Sequence, residues 1–277
     1  MSLVENRWPL SRFCFGYNLT IWLIKMPSAV SKRKQQDRAD STRKKILRAA
    51  MREFSSHGLS GARTDAIARS ARVNKALLYY YFQGKQGLYA AAVEEVSAEV
   101  VKNALAALDP AYSPGERLLR SALNHFDRIL TQREFQSLLQ QEMVRFRQGA
   151  GGSLPHFFRT AFKPLVGKLE QAVTEGIRTG ELCKLDPLQV MYSIFGANAF
   201  YFMSAPLMQL ALPFEPFHAD ALKLRRESAV RFLGVALFTD RAHGRKLANR
   251  VLAAMPMPQV KSESVRMASL HARRKNL

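Results

Sequence analysis

Three consecutive tyrosines, Tyr79, Tyr80 and Tyr81, stand between Lys75 and Lys85. Tyrosine hydroxyls and lysine ammonium groups are hydrogen-bond donors, and a short helix exposing both suits a phosphate backbone with base edges beside it. Such a helix fits the major groove of double-stranded DNA. Lys75, Ala76, Leu77 and Tyr80 then lie where base edges and thymine methyls are met, while Tyr79 and Tyr81 donate to phosphates. Thr64 and Lys85 sit at the N-termini of the flanking helices, which attract phosphate through their free N–H groups. Leu78 and Phe82 lie four apart and face inward, so the three tyrosines cannot all be buried beside them. The competing readings are core packing for the tyrosines and a solvated ammonium for Lys85.

These residues need a frame that is helical throughout. Ser41 or Thr42 can cap a helix in which Ile46, Ala50 and Phe54 recur every four residues, with His57-Gly58 as its end and Gly58 at a left-handed position. Thr64 caps the next helix, with Asp65 in its first turn; Val73 plugs the turn that follows, and Asn74 caps the helix from Lys75 to Phe82. A long helix from Lys85 runs until Pro110 and Pro114. Further helices are expected over 115–131, 133–147, 155–179 (with a kink at Pro164), 187 to near Pro206, and 219–238. No alternating strand pattern and no internal repeat occurs, so the fold class is all-α.

The net charge of +20 is concentrated, with 17 Lys/Arg against 5 Asp/Glu in residues 1–85. A basic end on a nearly balanced body points to a polyanion partner for that end. Cys14 and Cys183 form neither a disulfide framework nor a metal spacing, and no metal or cofactor is expected. That usage suits a cytoplasmic protein. The apolar run 13–24 is short and broken by Gly16 and Asn18, so residues 1–25 are expected to be a poorly ordered extension arising from start-codon choice, and no membrane partner is expected. The basic run Lys32-Arg33-Lys34 is either an arm that enters a minor groove or a solvated tail.

Residues 42–89 resemble the N-terminal DNA-binding domain of TetR-family transcriptional regulators. The resemblance rests on Phe54 with Gly58, on Thr64 before Ile67-Ala68, and on Val73-Asn-Lys-Ala-Leu-Leu-Tyr79-Tyr-Tyr-Phe82 followed by Lys85 and Leu88. Two positions depart from the family pattern. Arg72 replaces the usual glycine, so the turn is built without a φ-permissive residue, and Tyr81 replaces a histidine, so that contact carries no charge.

The resemblance implies a three-helix helix-turn-helix head and a larger C-terminal helical part for effector binding and dimerisation. The expected divisions are a disordered extension and arm at 1–40, the DNA-binding domain at 41–88, the effector and dimer domain at 89–240, and a basic disordered tail at 241–277. Helices 187–206 and 219–238 would form a homodimer interface of four helices. The first is apolar all round and the second offers Ala221, Leu224, Ala229, Phe232, Leu233 and Ala236. Intrachain core is the competing reading. The middle helices would enclose a hydrophobic small-molecule effector. Phe126, Phe135, Met143, Phe146, Phe158, Phe162, Phe195 and Phe202 are candidates for its apolar lining, and His125, Glu142 and Asn198 for its polar anchors.

The function implied is a sequence-specific regulator, a repressor released from its DNA operator by that effector, bound to the nucleoid when engaged. The chain offers no Gly-rich phosphate loop, nucleophile–base pattern or metal-ligand spacing, so it is not expected to be an enzyme. The alternative is a basic architectural or membrane-surface protein that uses the 13–24 and 32–38 runs.

Overall fold

The protein is described by a computed structural model covering residues 29–149, 154–213 and 215–259. The expectations for residues 1–25 and for the end of the tail lie outside the described residues. The chain divides into two compact units, residues 1–44 and 45–277.

Helix α1 (Ala29–Gly61) begins well before the expected caps at Ser41 and Thr42. The run 29–57 contains neither Gly nor Pro and is rich in Lys, Arg and Gln, which favour helix. Gln36 Nε2 donates to Asp40 Oδ1 at 3.2 Å, and the Thr42 hydroxyl donates back to the Arg38 carbonyl at 2.9 Å instead of capping. The expected arm is therefore helical from Ala29. Gly58 takes φ 67, ψ 177, and kinks the helix where the sequence reading ends it. Its φ is positive as expected, but its ψ is extended, a combination open essentially to glycine alone.

From Lys45 onward the described residues are helical, with an isolated antiparallel bridge between Leu182 and Phe238. Helices α2 (Thr64–Ala71), α3 (Lys75–Phe82) and α4 (Lys85–Ala107) follow the pattern read from the sequence. So do α5 (Pro114–Thr131) and α6 (Arg133–Arg147). Next come α7 (Leu154–Phe157), a π-helical turn (Phe158–Phe162) and α8 (Lys163–Arg178), which run on as one rod. The wide turn lies just before Pro164, which has no N–H to give to the preceding turn.

Helix α9 (Pro187–Ala211) continues past Pro206, its expected end, and α10 spans Ala219–Ala236. One proline removes one hydrogen bond, and the helix runs on past it through a largely exposed final turn. Helix α11 (Arg241–Ala254) occupies the start of the expected tail. It forms because Asp240 Oδ1 accepts from the Ala242 and His243 N–H groups (2.7 and 3.2 Å) and because Leu247, Ala248 and Val251 are buried. Gly234 and Gly244 let α10 and α11 touch, since a Cβ on Gly244 would lie 1.9 Å from the Gly234 carbonyl oxygen.

Two large apolar clusters organise this unit. The first joins Phe54, Ile67, Leu78 and Phe82 to Tyr89 of α4 and to Phe135, Leu138 and Phe157. The head therefore shares its core with α6 and α7. The second joins α5, α8, α9, α10 and α11 through residues such as Leu123, Val173, Ile194, Val230 and Val251. Phe162 packs against both clusters. A bidentate pair pins α5 to α10: the Arg226 guanidinium donates to both Asp127 oxygens at 2.7 and 2.8 Å and to the Met255 carbonyl at 2.9 Å.

Candidate nucleic-acid interface and effector site

The turn between α2 and α3 is a Schellman motif. The Val73 N–H donates to the Ala68 carbonyl at 3.0 Å and the Arg72 N–H to the Arg69 carbonyl at 3.1 Å. The left-handed position belongs to Arg72, with φ 57 and ψ 47, so the glycine-free turn is built by an L-residue in a costly conformation. Val73 packs on the first cluster as the expected plug. Asn74 then caps α3, its side-chain oxygen accepting from the Ala76 N–H at 2.9 Å. Thr64 does not cap α2; the cap position is Arg63, without a side-chain cap bond, and its N–H donates to Glu53 Oε1 at 3.0 Å.

Anchored by buried Leu78 and Phe82, α3 presents Tyr79 (50% exposed) and Tyr80 (79% exposed) to solvent, with Lys75 and Ala76 also exposed. Leu77 is half-buried. Tyr81 is half-buried too, packed on the core with its ring 5.3 Å from Tyr80 and 6.1 Å from Phe82, so two of the three tyrosines stand clear.

Lys75 Nζ sits 2.8 Å from Asp65 on α2. Its hydrogen bond holds the Asp65 carboxyl below the usual carboxylate range. Both groups are exposed, so the pair orients Lys75 more than it stabilises the fold. Lys85 Nζ donates to the Ser60 carbonyl at 2.8 Å, tying the start of α4 to the end of α1; an ammonium has two further protons to offer. Gly87 is fixed by close approach, since a Cβ there would lie 2.0 Å from the Phe82 carbonyl oxygen.

The sequence reading passed over the arginines beside this surface. Arg63, Arg69 and Arg72 are exposed around α2, and Arg52 reaches Ser70 Oγ at 3.3 Å. The local charge excess was the signal that could have found them.

The candidate effector residues do not converge on one cavity. Phe135 and Glu142, with Ser97 and Phe157, line a small enclosed space of about 10 Å³, roughly the room for one water. Glu142 is buried, accepting from the Tyr89 hydroxyl at 2.8 Å and from Arg145 at 2.6 Å. Burial and that carboxylate push the Tyr89 hydroxyl pKa far up.

A second group lies on α5 and α9. The His125 ring meets Phe195 at 4.7 Å, Phe126 meets Phe202 at 5.0 Å, and buried Asn198 donates to the Ala122 carbonyl at 3.0 Å. Burial, then the Arg128 charge, hold His125 well below the ordinary histidine range, so it is neutral near pH 7. Phe158 and Phe162 are half-buried. Met143 and Phe146 are exposed and line nothing; the four-residue period placed them inward, but no helix among the described residues covers that face of α6. A wider, open cleft of about 760 Å³ between α4, α5 and α8 is lined by Arg117, Lys168, Glu175 and Arg178 and holds none of the expected residues.

Helix α9 is also two-sided. Val190 and Ile194 are in the core, while Leu188, Tyr192, Phe200, Met203 and Leu207 form an exposed stripe, joined on α10 by Leu224 and Phe232. Leu233, expected to face a partner, is buried within the chain.

Comparison with known proteins fits this arrangement of a short exposed helix on a larger helical body. Residues 46–92 match the model of bacterial regulatory proteins of the tetR family, and residues 114–233 match a tetracyclin repressor-like C-terminal domain. The chain belongs to the TetR family of transcriptional regulators. It is 45% identical over 56 residues to the HTH-type transcriptional repressor SCO4008 of Streptomyces coelicolor, a match covering 20% of this chain and 29% of that protein. It is 31% identical over 143 residues to the HTH-type transcriptional repressor NicS of Pseudomonas putida, covering 51% of this chain and 66% of that protein. The chain thus spans less than two thirds of the length of either relative. Among solved structures, AibR in complex with isovaleryl coenzyme A and operator DNA superposes with a TM-score of 0.54 at 19% identity, over 70% of this chain and 97% of that one. That likeness shows a common fold. As a member of this family, the chain carries its helix-turn-helix head in α2 and α3 and a larger helical part after it.

Proposed function

We propose that this protein is a homodimeric transcriptional repressor that reads a double-stranded DNA operator with paired α3 helices and lets go when a small molecule binds among α4–α9. It is a binding protein, not an enzyme, and acts in the cytoplasm on the nucleoid. The carrying observation is α3 itself: a short helix, capped at Asn74 and anchored by Leu78 and Phe82, that holds Tyr79, Tyr80 and Lys75 in solvent. Residues 41–88 are the reading head in this account and 89–240 the effector and dimer part. Thr64, Tyr81 and Lys85 contribute from the rim, where helix N-termini and remaining protons meet phosphate.

The exposed apolar side chains of α9, with Leu224 and Phe232 exposed on α10, support the dimer, since exposed apolar surface of that kind marks an interaction surface and helix-turn-helix units read paired half-sites. The solved complex of AibR with isovaleryl coenzyme A and operator DNA supports ligand control by analogy. No described helix is long and apolar enough to cross a membrane. The route from effector to head runs through the shared core: Ser137 Oγ and Gln141 Nε2 of α6 donate to the Ser55 carbonyl of α1 (2.9 and 3.0 Å), and Glu142 holds Tyr89 of α4. A ligand shifts operator affinity only by preferring one conformer of that assembly.

The test is selection of bound fragments from the source genome, followed by anisotropy titration at several salt concentrations. Lys75→Ala and Tyr80→Ala change the preferred sequence, whereas Tyr79→Ala weakens all sequences alike. Binding that ignores salt overturns the reading, because each phosphate contact carries a log–log slope of about 0.9.

A further inference from the structure

The lower face of α5 carries a feature that apolar packing does not explain. His125 and Arg128 lie on α5, Gln132 (φ −119, ψ 56) sits at the α5–α6 junction and Gln136 is on the first turn of α6; the Gln132 N–H donates to the Arg128 carbonyl at 2.8 Å and the Gln136 N–H to the Gln132 carbonyl at 3.2 Å. Each of the four has a side-chain atom that is fully buried and without a hydrogen-bond partner: His125 Nδ1, Arg128 Nη1, Gln132 Oε1 and Gln136 Oε1.

The arginine matters most. Its guanidinium lies over the Phe135 ring at 5.6 Å, and no carboxylate among the described residues pairs with it. Both oxygens of its sequence neighbour Asp127 accept from Arg226, and Glu142 is held by Arg145 and Tyr89. Burial alone pulls the Arg128 pKa down to about 10, which leaves it charged at neutral pH. A buried cation without a counter-ion is costly, and folded proteins keep one where something else supplies the anion.

We infer that the effector is an organic acid whose carboxylate pairs with Arg128 and whose apolar body lies on Phe135 and Phe195. This rests on the effector-controlled reading above. Arg128 offers the fork geometry that carboxylate accepts in two parallel bonds. The amides of Gln132 and Gln136 rotate to present N–H₂ to the same oxygens, and neutral His125 adds a donor or an acceptor without adding charge. The flanking rings are in place: Phe135 under Arg128, and Phe195 against His125. Phe162, which touches both apolar clusters, sits where the two must part to admit the body of the acid.

The experiment uses the full chain and thermal unfolding with matched probes: benzoate, 1-naphthoate and octanoate, each beside its own neutral amide. At least one acid raises Tm while its amide does not, and Arg128→Met abolishes that rise. Arg128→Met without any probe raises Tm by about 2–4 °C, since the change removes an uncompensated charge and keeps the stem. A purely structural arginine does the reverse, so a lower Tm for unliganded Arg128→Met overturns the inference. Equal stabilisation by acids and amides, or by none of the acids, overturns it as well. Operator affinity measured in parallel separates the two readings. An acid that binds through Arg128 but leaves operator affinity unchanged keeps the anion site and removes the repressor reading built on it.

Discussion

Replacing Arg72 by glycine should stabilise the protein, an unusual sign for a change in a buried turn's neighbourhood. Arg72 holds φ 57 and ψ 47 at the left-handed position of the α2 Schellman motif, and its side chain is exposed. The left-handed conformation costs an L-residue about 1–2 kcal/mol through Cβ and carbonyl crowding. Glycine removes that cost but gives back about 0.4–1 kcal/mol, because it loses more freedom on folding. The net expectation is a gain of about 0.5–1 kcal/mol, or roughly 2–4 °C in Tm. Chemical denaturation reads it as a higher midpoint at unchanged slope. Arg72→Val should move the other way, since a β-branched side chain tolerates positive φ least. If Arg72→Gly lowers the midpoint, the arginine side chain holds more than the strain costs, and the turn is not the strained element described above. Operator titration of the same variant tests a second role, because loss of a phosphate contact lowers the salt slope by about 0.9.

Four further outcomes are expected. Phe232→Glu with Leu224→Glu should yield a folded monomer in sedimentation equilibrium with operator binding lost, since both side chains lie in the exposed stripe. Gly244→Ala should cost at least about 2 kcal/mol in chemical denaturation, because its Cβ collides with backbone across the α10–α11 contact. Arg226→Ala should cost about 3–5 kcal/mol by leaving the half-buried Asp127 carboxylate without its partner, and Asp127→Asn should recover part of the loss in the double variant. His125 should make stability fall with acid. Its folded pKa lies well below 6.5, so below that pH the unfolded chain binds a proton that the folded chain refuses, at up to about 1.4 kcal/mol per pH unit; His125→Phe should flatten that limb of the stability–pH curve.

The head was legible in the sequence because its signals are local. A cap at Asn74, a plug at Val73 and inward residues at Leu78 and Phe82 are each decided within a few residues of chain, and each is found in the structure. Even the cost of Arg72 was readable, as a missing glycine. The C-terminal part was legible only as a set of helices. Periodicity gives a face but not the neighbour that face meets, which is why Met143 and Phe146 were assigned to a lining and stand in solvent. It also could not separate the Phe135–Glu142 group from the His125–Phe195 group, since the division depends on how α4, α6 and α9 cross. Helix α11 was missed because it was read with the basic tail that follows, and its buried residues Leu247, Ala248 and Val251 find a groove only once α10 exists. Of the polar group from His125 to Gln136 only His125 stands out in the sequence as a polar anchor, because the burial of Arg128, Gln132 and Gln136 depends on neighbours distant in the chain.

The first apolar cluster has a consequence for anyone who would exchange parts between relatives. Phe54 rests against Tyr89, Tyr89 against Glu142, and Ser55 against Ser137 and Gln141, so the reading head has no seam of its own at its C-terminal border. A chimaera spliced just after α4 begins would strip Phe54 and Tyr89 of their floor and leave a carboxylate stranded beneath. Grafting this head onto another body requires carrying α6 along with it, so the smallest transplantable piece is discontinuous in the chain.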